Sequence, residues 1–194
     1  MDYLELQTSF INKKFDTYSN EEIIKICNHL ITNYKESILY GTMEEVGELI
    51  QAVMKYLRYS KDESKISKLQ IMEEIADVYI CLTCIACGIK EMDLDESKRK
   101  INNTYWISKD SIKCTMNYRF DRLFNKVNNI IIYYLLNDFN DNPNIDEVNF
   151  DDLTINCICI LFTILDLLEI NMNDFNDILH IKLNRLVKRH NILL

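Results

Sequence analysis

Four carboxylates stand at helical spacing in two short motifs of this chain. Glu45 and Glu48 lie in "TMEEVGELIQAVMKYLR" (42–58), Glu74 and Asp77 in "MEEIADVYICL" (72–82). Positions three apart on a helix sit about 60° from each other around the axis, one turn apart, so each pair projects to one side. Both pairs border an apolar stripe, and Glu74 falls well inside it. Glu44 and Glu73 are read as bystanders, with Glu73 turned toward solvent. Two antiparallel helices packed by their stripes would bring the four acids together, where repulsion and lost hydration oppose ionisation. A divalent cation resolves that conflict. A carboxylate-only donor set suits a hard ion, Mg²⁺ or Mn²⁺, rather than zinc. None of His29, His180 and His190 stands in a Glu-x-x-His pattern, which disfavours a di-iron bundle. The competing reading is ordinary surface glutamates in a chain with 30 acids. Repetition of the pattern on consecutive core-bordering helices argues against it.

The elements that must position these acids read as helices throughout. Three glycines and one proline in 194 residues leave little turn chemistry for a sheet protein. Apolar residues at 48% and charged residues at 27% give a foldable composition. The expected fold class is all-α. A first helix covers about 3–15. A second starts at the capping-box pattern Ser19-Asn-Glu-Glu22 and runs to about Tyr34. The third carries Glu45 and Glu48, with Met43, Val46, Ile50, Val53 and Leu57 as its stripe. The fourth, about 67–87, has the stripe Ile71, Ile75, Val78, Leu82 and Ile85, with Gly88 as a cap. Further helices are expected at about 93–106, 118–136, 153–170 and 173–189, the last capped by Asn173.

Net charge is −8, from 22 basic and 30 acidic residues, which argues against a general nucleic-acid partner. It does not exclude a small phosphorylated substrate, because a bound metal reverses the local field. "MDYLELQTSF" has neither a basic start nor an apolar core, and no apolar run is long enough to span a membrane. The expectation is a cytoplasmic chain with no membrane partner. Seven cysteines without secretory context do not suggest disulfides. Cys81, Cys84 and Cys87 spell CxxCxxC, but inside an apolar helical run where cysteine serves as a small buried residue.

The two halves look alike in outline. Each passes from an apolar helix through a short turn to a polar helix ending in Lys100-Ile-Asn102 or Lys182-Leu-Asn184. A degenerate internal repeat would place the counterparts of 74/77 near Asp152 and Ile155, and of 45/48 near Arg122 and Asn125, so the second half has lost the acids. The expected division is a catalytic helical unit at 1–110 and a helical second half at 111–194 packed on it.

At the acidic motifs the sequence resembles the all-α nucleoside triphosphate pyrophosphatase superfamily, the MazG-like proteins and their relatives the dimeric dUTPases. The shared signature is EExxE, a spacer, then ExxD. Here it stands as Glu44-Glu45-Val-Gly-Glu48, positions 49–73, then Glu74-Ile-Ala-Asp77. The similarity covers about 34–102. It implies a four-helix core completed by a second copy, and Mg²⁺-dependent hydrolysis of a nucleoside triphosphate between the α and β phosphates. By that resemblance Glu45, Glu48, Glu74 and Asp77 are the metal ligands; Glu45 is also the candidate to orient the attacking water or take its proton, with a pure ligand role as the equal alternative. Lys55, two turns beyond Glu48 on the same side, is a candidate phosphate contact, with a solvated lysine as the plainer reading. Lys100 and Asn102 fall where the family tends to place polar residues facing the site. Trp106 or Tyr105 are candidates to stack on a base, with a core role as the plainer reading for each. Gln7 and Asn12 stand where dimeric dUTPases hold uracil, though the surrounding pattern does not match. The expected function is thus a Mg²⁺-dependent hydrolase releasing pyrophosphate, acting as a homodimer. The alternatives are a dUTPase-type member and a non-catalytic nucleotide- or protein-binding helical protein.

Overall fold

The computed structural model describes residues 3–59, 66–89, 99–100, 102–103, 119–129 and 147–194. Among them all regular structure is helical. The principal elements are α1 (Tyr3–Asn12), α2 (Asn20–Arg58), α3 (Lys68–Ile89), α4 (Glu147–Leu167) and α5 (Met172–His190). Residues 119–129 are also helical and bury Phe120, Leu123 and Val127. The helix expected at 93–106 and the division at 110/111 fall largely or wholly outside the described residues.

The start of α2 follows from its sequence. Ser19 Oγ accepts from the Glu22 backbone N–H at 3.3 Å, and Glu22 Oε2 accepts from the Ser19 N–H at 2.7 Å. These two bonds satisfy donors that a helix start leaves orphaned. Hydrogen bonding from the Ser19 backbone N–H, and then from the Ser19 hydroxyl, draws the Glu22 carboxyl below its ordinary range. Ser67 and Gln70 exchange the same reciprocal bonds at the start of α3.

The helices expected on either side of Tyr34 are one 39-residue helix with a kink, where Tyr34 takes φ −135° and ψ 33°. The preceding Asn33 donates its side-chain amide to the His29 carbonyl at 2.7 Å. Such back-bonding competes with the backbone ladder and bends helices.

Three helix ends solve the shortage of glycine in one way. Lys13, Glu169 and Asn191 each adopt a left-handed conformation with φ of 50°, 55° and 49°. After α4, Ile170 N–H donates to the Leu165 carbonyl at 2.9 Å and Glu169 N–H to the Asp166 carbonyl at 3.0 Å, a Schellman closure with Glu169 where glycine is usual. These caps move several expected boundaries. The first helix stops at Asn12 rather than near 15, and the apolar helix spans 147–167 rather than 153–170. Gly88 lies inside α3, not beyond it. The cap of α5 is Asn171, whose side chain accepts from the Asn173 N–H at 2.8 Å, so Asn173 is inside the helix.

Helix α3 is the centre of the molecule. It packs along α2 and also against α4 and α5. All five stripe residues expected for it, Ile71, Ile75, Val78, Leu82 and Ile85, are fully buried. On α2 the buried line is rotated from the expected one, through Val46, Leu49, Val53 and Tyr56, while Leu57 is 38% exposed. Tyr79, Phe162 and Phe175 tie α3, α4 and α5 with ring centroids 6.2–6.3 Å apart. Such separations are typical of paired aromatic rings.

The N-terminal segment is fastened to α5. Lys13 pairs with Asp177, the Tyr18 N–H donates to His180 Nδ1 at 3.3 Å, and Asn184 Nδ2 donates to the Asp16 carbonyl at 2.9 Å. Near the C-terminal end of α3, the Cys84 and Cys87 thiols lie beside Cys27 of α2, and Cys81 lies beside Thr42. Burial pushes the Cys81 thiol up to about 12. Cys27, Cys84 and Cys87 are packed as small buried groups. No described helix is long and apolar enough to cross a membrane.

Candidate functional site

Antiparallel packing of α2 on α3 brings the two acidic motifs face to face. Glu45, Glu48 and Glu74 each place a carboxylate oxygen within 4.8 Å of the others. Glu45 and Glu74 are half-buried and Glu48 is exposed. Burial first, and then the neighbouring Asp77 and Glu48 charges, push both Glu45 and Glu74 up to about 7. The trio is short of positive charge.

The fourth carboxylate is turned to a different partner. Asp77 Oδ2 accepts from Lys182 Nζ at 2.6 Å, and the same ammonium reaches Glu73 Oε1 at 3.1 Å. The lysine side chain is only 8% exposed. Its two carboxylates raise its pKa against the opposing effect of burial. For Asp77, burial outweighs the lysine and the carboxyl is held above its ordinary range. Glu73, read from the sequence as a solvent-facing bystander, is thus half of a partly buried ion pair. Glu44 also lines the same cleft. The solvent-facing reading fails for Glu73, because α5 covers a flank of α3 that its own periodicity leaves unassigned, while Glu44 is exposed on α2.

The cleft has a volume of about 510 Å³ and lies between α2, α3 and α5. Helix α5 runs antiparallel to this part of α2. Lys182 meets the acids at one end, and His190 meets Tyr34 at the other. Arg185 and Arg189 line the stretch between, and neither has an ion-pair partner among the described residues. Lys182, Arg185 and Arg189 are spaced by three and four, so they form one stripe of α5. That spacing was visible in "KLNRLVKRH". What it did not show was that the stripe faces the acids. Tyr34 and His190 were missed too, since a kink and a long-range ring contact leave no local signature.

The remaining candidates are placed as follows. Lys55 is exposed and lines a neighbouring groove with Glu48, Glu73 and Glu74, on the side away from α5. Lys100 and Asn102 are exposed and do not line the cleft. Asn184, the counterpart of Asn102 in the suspected repeat, holds the Asp16 carbonyl. Gln7 and Asn12 lie on α1, away from the cleft-lining residues. Tyr105 and Trp106 lie outside the described residues.

The donor set fits a hard divalent cation. It offers oxygen ligands only, on two packed helices, within 4.8 Å of one another, and two of the carboxyls are raised by burial and then by their like-charged neighbours. Beside it stands a row of guanidinium groups suited to bidentate contact with phosphate oxygens. No family model matches the chain, and no curated protein or solved structure matches it significantly.

Proposed function

We propose that this protein is a divalent-cation-dependent nucleoside triphosphate pyrophosphohydrolase, producing a nucleoside monophosphate and pyrophosphate. The observation that carries the reading is one cleft with a carboxylate trio on α2 and α3 and two arginines of α5, Arg185 and Arg189, lining it opposite. A polyanion that arrives with a hard cation needs both surfaces. Glu45, Glu48 and Glu74 would hold Mg²⁺ or Mn²⁺, with Asp77 joining them when Lys182 releases it. The bound cation supplies charge neutralisation for the triphosphate and raises the acidity of nearby water.

Arg185 and Arg189 bind the phosphate oxygens and set the chain of phosphates along the cleft. Glu45, half-buried beside the trio, orients the water and takes its proton. The water oxygen bonds to the α-phosphorus while the bridging bond to the β-phosphate breaks, and pyrophosphate leaves with that electron pair. Lys182, which lines the same end of the cleft, would steady the charge gathering on the leaving group.

The test is pyrophosphate release from the common ribo- and deoxyribonucleoside triphosphates, dUTP included, with Mg²⁺, beside Glu74→Ala. The expected result is turnover by the wild type and a loss of ~10²-fold or more in the variant. Full activity in Glu74→Ala sinks the assigned site, and a marked preference for dUTP assigns the dUTPase-type alternative. A second reading, a nucleotide-binding protein without turnover, draws on the Lys182–Asp77 pair, which occupies one of the four expected ligands. It requires that Mg²⁺ with nucleotide raise the melting temperature while no pyrophosphate appears.

A further inference from the structure

The cleft is graded along its length, and only one end suits phosphates and a cation. From Glu45 back to Tyr34 on α2 is 11 positions, about 16 Å at 1.5 Å per residue, and Lys182 to His190 on α5 is about 12 Å. Within that length the lining changes from carboxylates through arginines to Leu30, Tyr34, Ile38, Leu186 and His190. The far end is therefore apolar and aromatic.

Its main feature is a pair of rings. Tyr34 and His190 have centroids 4.5 Å apart and meet at 53°. Because the rings are tilted, neither fully covers the other, and Tyr34 stays 40% exposed at the mouth of the cleft. His29 lies behind, its ring centroid 6.5 Å from that of Tyr34. Tyr34 is also the one residue of α2 with non-helical backbone angles, so the kink sets the direction of this ring. A regular helix would carry the side chain elsewhere.

We propose that the Tyr34–His190 pair is the subsite for the planar base of the nucleotide, which stacks on the exposed face of Tyr34 with its phosphates running past Arg189 and Arg185 toward the acids. The inference rests on the nucleotide reading given above and adds where the base sits and which groups grip it. A stacked ring tolerates any base, because every base has a π-face. Discrimination would then fall to polar atoms at the rim, of which the Tyr34 and Ser37 hydroxyls are the nearest in sequence.

The experiment is calorimetric binding with Mg²⁺ present, using two probes: an α,β-methylene adenosine triphosphate that resists cleavage, and inorganic tripolyphosphate. Wild type is compared with Tyr34→Leu, Tyr34→Phe and His190→Leu. Tyr34→Leu is expected to weaken the nucleotide ~10-fold and to leave tripolyphosphate within a factor of two. Tyr34→Phe keeps the ring and stays near wild type, which a loss of helix packing would not allow. Equal nucleotide affinity in wild type and Tyr34→Leu overturns the subsite while leaving the pyrophosphohydrolase reading intact. So does tripolyphosphate binding as tightly as the nucleotide in wild type. Failure of both probes to bind wild type overturns the subsite and the nucleotide reading together.

Discussion

Lys182 is the residue on which the charge of the cleft turns. Its ammonium sits between Asp77 and Glu73, and removing one partner from such a pair leaves the others desolvated and unpaired. Lys182→Met is expected to lower stability in urea at pH 7 by about 3 kcal/mol. Mg²⁺ should then recover more stability in the variant than in wild type, because Asp77 is free to ligate. An identical Mg²⁺ response in the two proteins would show that Asp77 never joins the cation site. The sequence exposed the acids because their spacing is local: three apart, twice, on stripes. It did not expose Lys182 or Glu73 as partners, because the pair closes over 109 residues and nothing local encodes that meeting.

Among the elements, helix ends are the most open to test. Glu169 closes α4 in a left-handed conformation that costs a side-chain-bearing residue about 1 kcal/mol and glycine almost nothing. Glu169→Gly is expected to stabilise the protein by about 0.5–1 kcal/mol in chemical denaturation. Its backbone carbonyl, which accepts from Lys68 Nζ at 3.4 Å, is retained. A loss of stability would show that the glutamate side chain contributes more than its backbone strain costs. Ser19-Asn-Glu-Glu22 and the α3 stripe could be read in advance because caps and periodicity are written in adjacent residues. The kink at Tyr34 could not, since two weak effects meet there: a side-chain bond from Asn33 and the packing of α5 against the bend. Non-glycine caps escaped for the opposite reason, because the expected signal, a glycine, is absent from them.

For the molecule as a whole, the acids make metal-free stability depend on pH in an unusual direction. Glu45 and Glu74 are raised from 4.5 to about 7 in the folded chain, so between those values the native state binds more protons than the unfolded one. Stability from these groups is full below about pH 4.5 and is lost as pH rises through about 7. Asp77, also raised, acts in the same sense. In chelator the melting temperature should fall from pH 5 to pH 8, less steeply in Glu45→Gln/Glu74→Gln, and Mg²⁺ at pH 8 should restore it. A flat wild-type profile in chelator would mean that the carboxyls are better solvated than the packing of α2 on α3 implies.

The distance along the chain between the acids and their lysine also sets an order of events during synthesis. Helices α2 and α3 are neighbours in sequence and can pair as soon as both emerge, whereas Lys182 follows Glu73 by 109 residues. At about 5–20 residues per second, a ribosome takes on the order of 5–20 s to cover that interval. Throughout it the nascent hairpin carries its converging carboxylates without the lysine that pairs with Asp77 and Glu73. A dissolved divalent cation is then the available neutraliser, so the ion proposed for catalysis would first act as a folding aid, before the helix that completes the cleft has been made.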